Sequence, residues 1–293
     1  MLRAAEAISH GAITVINAMA TGRGAALGIE LQTRATVTVT NRPGVFVARN
    51  PSGPGENTDL AKVTAQGVFE RFRANKRFGA VIETYSNIPI AVGLKSSSAA
   101  SNAVALASLH ALGRKASDIE IVRLGVRASL KAGVTLTGAF DDACACYFGG
   151  VIMTDNVKRR ILKRFRPGGG LGVLIHVPKM KRYTRDVYAG SFRPIRPFIK
   201  AAHHRALSGD YWNAMTLNGL MYSMALGYDT IATTAALESG AVAAGLTGKG
   251  PAVAAIVPES KKDNVRAAWR RIKGQVIETS FNFRKATAQW LPR

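Results

Sequence analysis

Three serines in a row behind a lysine are the residues of this chain best suited to hold an anion, in Pro89-Ile90-Ala91-Val92-Gly93-Leu94-Lys95-Ser96-Ser97-Ser98-Ala99. A strand-like run, Ala80 to Tyr85, leads into the stretch, and a run of small residues that reads as a helix opens at about Ser96 and continues to Leu112. Pro89 keeps the backbone before it extended, and Gly93 allows a turn that a Cβ would obstruct. The serines then stand where a helix has unpaired N–H groups and the positive end of its dipole, an arrangement that binds phosphate. Lys95 adds a full positive charge, and the hydroxyls can donate to phosphate oxygens or ligate a metal. A serine at a helix start is ordinarily a cap. Here a strand, a proline, a glycine and a lysine converge on that start, and this favours phosphate.

Phosphoryl transfer asks for positioning, charge neutralisation and a group that takes or orients the proton of the acceptor hydroxyl. Asp141 and Asp142 are the carboxylates best placed for the last role, between the Gly138-Ala139 turn and a helix start. One of the pair can cap the helix while the other faces a site. A second glycine-rich segment, Gly245-Leu246-Thr247-Gly248-Lys249-Gly250-Pro251, reads either as a hairpin turn or as a loop whose Lys249 contacts phosphate. It is not a Walker loop, because Gly250 follows Lys249 where Ser or Thr is needed, and Gly22-x-Gly24-x-x-x-Gly28 misses the dinucleotide spacing. Cys144 and Cys146 stand two apart, so on a helix they diverge and do not pair; the five histidines show no spacing that would join them in a zinc site. Both read as buried, inert thiols.

These groups must be positioned by elements the pattern already suggests. Ile13–Val15 reads as a short strand, and Asn17 to Gly24 as a glycine-containing turn. Ala35–Val39 alternates as a half-exposed strand, and Arg42-Pro43-Gly44 predicts a hairpin that pairs Val45–Val47 antiparallel to it. A loop at Pro51–Gly55 precedes a helix capped within Asn57–Asp59, with Leu60, Val63, Val68 and Phe72 on its apolar face. Ser117 to Glu120 carries a capping box for a helix that buries Ile121, Leu124 and Ala128. A short helix follows Asp141, and Val151–Met153 resumes extended structure. Pro167-Gly168-Gly169-Gly170 marks a boundary, giving an N-terminal unit of residues 1–167 and a C-terminal unit of 168–293. Beyond it the order is strand (Val173–Val177), helical pieces to about Ser239, strands Ala241–Leu246 and Ala252–Val257, helix Lys261–Lys273 and strand Gln275–Phe281. That is the split βαβ order.

Composition bounds the function classes. Hydrophobic residues at 47% and charged residues at 20% are those of a globular protein. No apolar run approaches the roughly 20 residues that span a bilayer, and the N-terminal residues lack a signal-peptide layout, so the expected location is the cytoplasm. The net charge of +22 invites a nucleic-acid reading. The excess concentrates in Lys158 to Arg166, where charges interleave with Ile161, Leu162 and Phe165 as on an edge strand, and again across Lys179 to Arg185. No nucleic-acid-binding motif accompanies these runs. A solvated basic face comes first, attraction of anionic substrates second, and specific nucleic-acid binding last.

Pro89-x-x-x-Gly93-Leu94-x-Ser96-Ser97-Ser98-Ala99 resembles the phosphate loop of the GHMP kinase superfamily. Lys95 within it, Thr137-Gly-Ala-Phe-Asp-Asp-Ala143, and Asn17-Ala-x-Ala-Thr-Gly-Arg-Gly24 in place of a Pro-Gly-Lys segment resemble its archaeal shikimate kinase branch. The resemblance implies an α+β fold of two domains, the first like ribosomal protein S5 and the second ferredoxin-like. It implies ATP with Mg²⁺, shikimate as acceptor at its 3-hydroxyl, and a role in aromatic amino-acid biosynthesis. It places Pro89, Gly93, Leu94, Lys95, Ser96, Ser97, Ser98 and Ala99 at the ATP phosphates, and makes Asp141 and Lys95 catalytic. Substrate would meet Asn17, Thr21, Gly22, Arg23, Gly24, Asp141, Gly248, Lys249 and Gly250, with Arg23 as a guanidinium clamp for the carboxylate. Some relatives carry a metal-binding Glu in the region that Leu130 and Lys131 fill here, so Ser97 and Asp142 take the metal role. The competing readings are a GHMP kinase for another alcohol such as homoserine, and a basic RNA-binding module without catalysis.

Overall fold

The computed structural model describes residues 3–135, 137–180 and 192–292. Two long strands, β1 (Ala4–Ile16) and β2 (Arg23–Thr40), form the spine, paired antiparallel and joined by a 3-10 turn at Ala18–Ala20. In the far half of β2 the sequence alternation is kept: Ala35, Val37 and Val39 are buried, and Thr36 and Thr38 half-buried. The strand is much longer than that alternating stretch, and each half takes a different neighbour. Its second half pairs with β4 (Gly79–Ser86), and its first with β5 (Val151–Asp155).

The expected hairpin is absent. β3 (Phe46–Arg49) pairs parallel to β4, and α1 (Asp59–Arg71) makes the connection between them. β4 already occupies the edge of β2, so the turn at Arg42–Val45 carries the chain past the start of β4 instead of folding it back. Gly79 permits this, since a Cβ there would lie 2.1 Å from the Val45 carbonyl oxygen. The α1 helix buries Ala61, Thr64, Ala65, Val68 and Phe69, while Leu60, Val63 and Phe72 are only half-buried. The tight approach to the sheet selects the smaller residues, with Phe69 edge-on to Phe46.

Three helices complete the first layer. They are α2 (Ser96–Ala111), α3 (Asp118–Lys131), whose Ser117 accepts the N–H of Glu120 as its capping box predicts, and α4 (Phe140–Phe148). The basic run becomes β6 (Arg160–Phe165), which pairs with β5 alone among the described strands and leaves a cationic edge. Of the second basic run, residues 181–185 lie outside the described residues.

The chain then forms β7 (Leu171–Val177), helices α5 (Arg196–Leu207), α6 (Tyr211–Leu226) and α7 (Ile231–Glu238), strands β8 (Ala243–Leu246) and β9 (Val253–Pro258), α8 (Lys262–Arg270) and β10 (Gln275–Thr279). The sheet order β10-β7-β9-β8, antiparallel throughout, is the ferredoxin-like arrangement expected from the element order. The final strand, β11 (Thr287–Trp290), leaves this unit and pairs with β1 in the first sheet. A continuous core runs through both layers, including Ile13, Leu27 and Tyr147 from the first and Ile175, Met215 and Ile256 from the second. Among the described residues no helix is long and apolar enough to cross a membrane.

The helix α6 reaches the first layer because it lies directly on the backbone of β8. A Cβ at Gly219 would meet the Gly245 Cα at 2.4 Å. Gly219→Ala is therefore expected to destabilise the protein by about 1–3 kcal/mol through overpacking, seen as a lower urea midpoint; an unchanged midpoint would show that the helix can move off the strand.

Candidate active site

Lys95 ends the loop that follows β4 and precedes α2. It is held in the left-handed region (φ 64°), and its carbonyl accepts the Ala99 N–H of the helix. The ammonium, on a side chain only 6% exposed, donates to Thr14 Oγ1 at 2.7 Å and pairs with Asp142 Oδ1 at 3.0 Å. Thr14 also accepts the N–H of Gly248 through the same oxygen (2.8 Å), while its own N–H donates to Thr247 Oγ1 (3.0 Å). The Thr247 hydroxyl in turn donates to the Gly93 carbonyl (3.0 Å). Four separate parts of the sequence thus meet at one buried knot.

Glycine is required where the two loops touch. Gly93 has φ +97°, and a Cβ on it would lie 2.0 Å from the Thr247 carbonyl oxygen. A Cβ on Gly248 (φ +60°) would lie 3.1 Å from both the Gly93 backbone and Lys95 Nζ. Asn17 fixes the third loop: its Nδ2 donates to the Gly248 carbonyl (2.8 Å), its Oδ1 accepts the Met19 N–H, and its own N–H donates to Asn218 of α6. Tyr222, one turn further along α6, accepts the Ala20 N–H and donates to the Asn17 carbonyl.

Asp141 and Asp142 occupy the first turn of α4, where the helix dipole favours negative charge. They do different things. Asp142 is the partner of Lys95, whereas Asp141 is 4% exposed and is held by Asn156. Asn156 Nδ2 donates to Asp141 Oδ1 at 2.7 Å, and its Oδ1 accepts both the Asp141 N–H and the Thr154 hydroxyl. Burial, reinforced by the neighbouring Asp142 carboxylate, pushes the Asp141 carboxyl up to about 7 against the opposing pull of Lys95 and Asn156. The other carboxylate oxygen lies against β2, where a Cβ on Gly24 would sit 2.1 Å from Oδ2. Gly24 is thus an absent side chain that makes room for the carboxylate.

Lys95, Ser96, Ser97, Ser98, Asp141 and Asp142 open onto one cavity of about 620 Å³, together with Asn17, Gly93, Gly248, Lys249 and Gly250. The cavity extends between Asn57, Thr58 and Asp59 at the start of α1 and Thr135 and Thr137 before α4. Ser96 and Ser97 are half-buried at the N-terminus of α2, with Ser98 buried behind them. The other expected residues lie elsewhere. Leu94 and Ala99 are core residues, 1% and 0% exposed. Pro89 shapes the approach to the loop without lining the cavity. Gly22 packs toward Val157, and its carbonyl accepts the Asn156 N–H. The side chains of Thr21 and Arg23 face a separate cavity beside α5.

Thr14, Thr154, Asn156 and Asn218 were not expected from the sequence. Thr154-Asp155-Asn156 at the end of an apolar strand is a polar cluster that could have drawn attention, but Thr14 sits in the middle of a buried β run and carries no local signal. Among the described residues no cluster of three or more His, Cys, Asp or Glu could hold a metal. Asp142 and Ser97 both line the cavity, two oxygen donors that suit an ion completing its coordination with ligand oxygens and water.

The comparisons with known proteins agree with this geometry. Residues 59–150 match the GHMP kinases N terminal domain, and residues 213–274 match the GHMP kinases C terminal domain. The chain is 43% identical to a shikimate kinase of Methanosarcina mazei, over 94% of each chain. It is 44% identical to a shikimate kinase of Pyrococcus abyssi, over 93% of this chain and 97% of that one. Its fold is that of the homoserine kinase from Cytophaga hutchinsonii, with a TM-score of 0.76 at 16% identity, covering 98% of this chain and 97% of that one. The mevalonate kinase of Methanococcus jannaschii superposes with a TM-score of 0.72 at 14% identity, covering 96% and 98%. The phosphate loop, the buried carboxylate and the whole-chain likeness converge, and the chain belongs to the GHMP kinases, on the branch of the archaeal shikimate kinases.

Proposed function

We propose that this protein transfers the γ-phosphoryl group of ATP to the 3-hydroxyl of shikimate, as a cytoplasmic enzyme of aromatic amino-acid biosynthesis. The observation that carries the reading is the opening of the Ser96–Ser98 cradle and the buried Asp141 carboxylate onto the same cavity. The shikimate kinases 43% and 44% identical over nearly the whole chain favour that acceptor over other alcohols.

In this reading the N–H groups and hydroxyls of Ser96, Ser97 and Ser98 bind the phosphates, and Lys95 offsets the charge that gathers on the transferred group. Asp141, poised near neutrality, takes or orients the hydroxyl proton. Asn156 aims its carboxylate, and Gly24 leaves the space it needs. Asn17, Gly248, Lys249 and Gly250 border the acceptor, with Lys249 bringing a second ammonium to the cavity. Asp142 and Ser97 would hold Mg²⁺, which supplies charge neutralisation on the phosphates when bound. Arg23 lines the neighbouring cavity beside α5.

A coupled assay of ADP release tests the reading. Release is expected to require shikimate, and Asp141→Asn is expected to lower kcat by about 10²–10⁴-fold. A clear preference for homoserine would reject the acceptor, and full activity in Asp141→Asn would reject the base. Because the carboxyl sits at about 7, it is protonated on the acid side, so kcat/KM for the acceptor should fall with unit slope below about pH 7. Asn156→Ala removes a hydrogen bond that favours the ionised form, so the acid limb should move to higher pH; an unmoved limb would assign that titration to another group. Gly24→Ala forces the carboxylate from its place and should cost about 10²-fold in kcat with little change in KM for ATP.

A further inference from the structure

Thr14 presents an unused donor to the catalytic cavity. It sits near the end of β1 between Ile13 and Val15, both wholly buried, and is itself 2% exposed. The pairing of β1 with β2 shifts register between Thr14 and Ile16, an irregularity of the kind that re-aims a side chain beside a site. The hydroxyl oxygen accepts from the Lys95 ammonium at 2.7 Å and from the Gly248 N–H at 2.8 Å. Neither partner can accept in return, so these bonds take both lone pairs and leave the hydroxyl its own proton to give. Among the described residues that proton goes to no acceptor: Asp142 meets Lys95, and Asp141 Oδ1 takes its bond from Asn156. Thr14 lines the same cavity as Lys95, Ser96–Ser98 and both aspartates, so its proton is available there.

A carbonyl at this point would anchor Lys95 and Gly248 equally well, whereas a hydroxyl adds a donor. Two incoming bonds, one of them from a cation, polarise the O–H and strengthen it as a donor. We infer that Thr14 is a further catalytic residue, whose hydroxyl donates to an oxygen of the phosphoryl group in transfer. Lys95 stands beside it and the N-terminus of α2 opens on the same space, which favours an anionic oxygen at that point. Such a bond tightens as charge gathers on the oxygen, so it stabilises the transition state more than bound ATP. The inference rests on the kinase reading but not on which alcohol accepts the phosphoryl group.

The test compares Thr14→Val, Thr14→Ser and Thr247→Val in the full chain. Thr247 belongs to the same knot, accepting the Thr14 N–H and donating to the Gly93 carbonyl, but it does not line the cavity. Thr14→Val is expected to lower kcat by about 10²–10³-fold with KM for ATP little changed. Thr14→Ser, which restores the hydroxyl, should recover most of that loss, and Thr14→Ala carries the same expectation as the valine variant should the latter fail to fold. Calorimetry then sets the affinity for ADP with aluminium fluoride, a mimic of the group in transfer, against the affinity for ADP alone. The gain from fluoride should shrink by about 10²-fold in Thr14→Val and persist in Thr247→Val, which loosens the knot without removing a donor from the cavity. Equal loss of that gain in both valine variants, no recovery in Thr14→Ser, or a fall in ADP affinity that accounts for the whole effect would each overturn the inference. Turnover with an alcohol other than shikimate would reject the acceptor alone, and turnover indifferent to Thr14 would reject this inference alone.

Discussion

The Lys95 ammonium is withdrawn from water and must be compensated where it lies, and the architecture follows from that requirement. Its partners are Thr14 Oγ1 from β1 and Asp142 Oδ1 from α4. Removing one member of a buried pair leaves the other uncompensated, at a cost of about 3–5 kcal/mol. The three segments therefore keep their register, and Thr14 extends the constraint to the loop at Gly248.

The two adjacent aspartates show how environment divides labour between identical side chains. Asp142 is spent on Lys95 and stays partly accessible, with its side chain 18% exposed. Asp141 is held between Asn156 and the bare backbone of Gly24 and reaches the cavity with little exposure. Desolvation raises its affinity for a proton, and the charge on Asp142 raises it further. A carboxylate poised near neutrality accepts a proton more readily than one in its ordinary range, which is the property a hydroxyl-activating group needs.

Small residues allow the layers to come this close. At Gly93 against Thr247 and at Gly219 against Gly245 two backbones meet with no space for a Cβ. The first contact closes the phosphate loop on the second layer, and the second brings α6 near enough for Asn218 and Tyr222 to grip the Asn17 loop. Glycine at these two positions is thus a requirement of the contact between the layers.

Local chemistry was legible in the sequence because it is local. The Pro89–Ser98 run dictates a turn into a helix start, Ser117 and Glu120 dictate a cap, and the element order past residue 168 dictates the split βαβ sheet. The two aspartates stood out by type and by their place before a helix, but their division of labour did not, since it depends on what packs over them. Residues joined only by long-range contact left no trace: Thr14 lies 81 residues from Lys95 and 234 from Gly248. The same holds for β3, whose partner was set by which strand already occupied the edge of β2, and for β11, which returned to the first sheet. Arg23 and Gly24 are the sharpest case: adjacent in the sequence, they face opposite sides of β2, and only the folded sheet decides that Gly24 meets the Asp141 carboxylate while Arg23 lines the cavity beside α5.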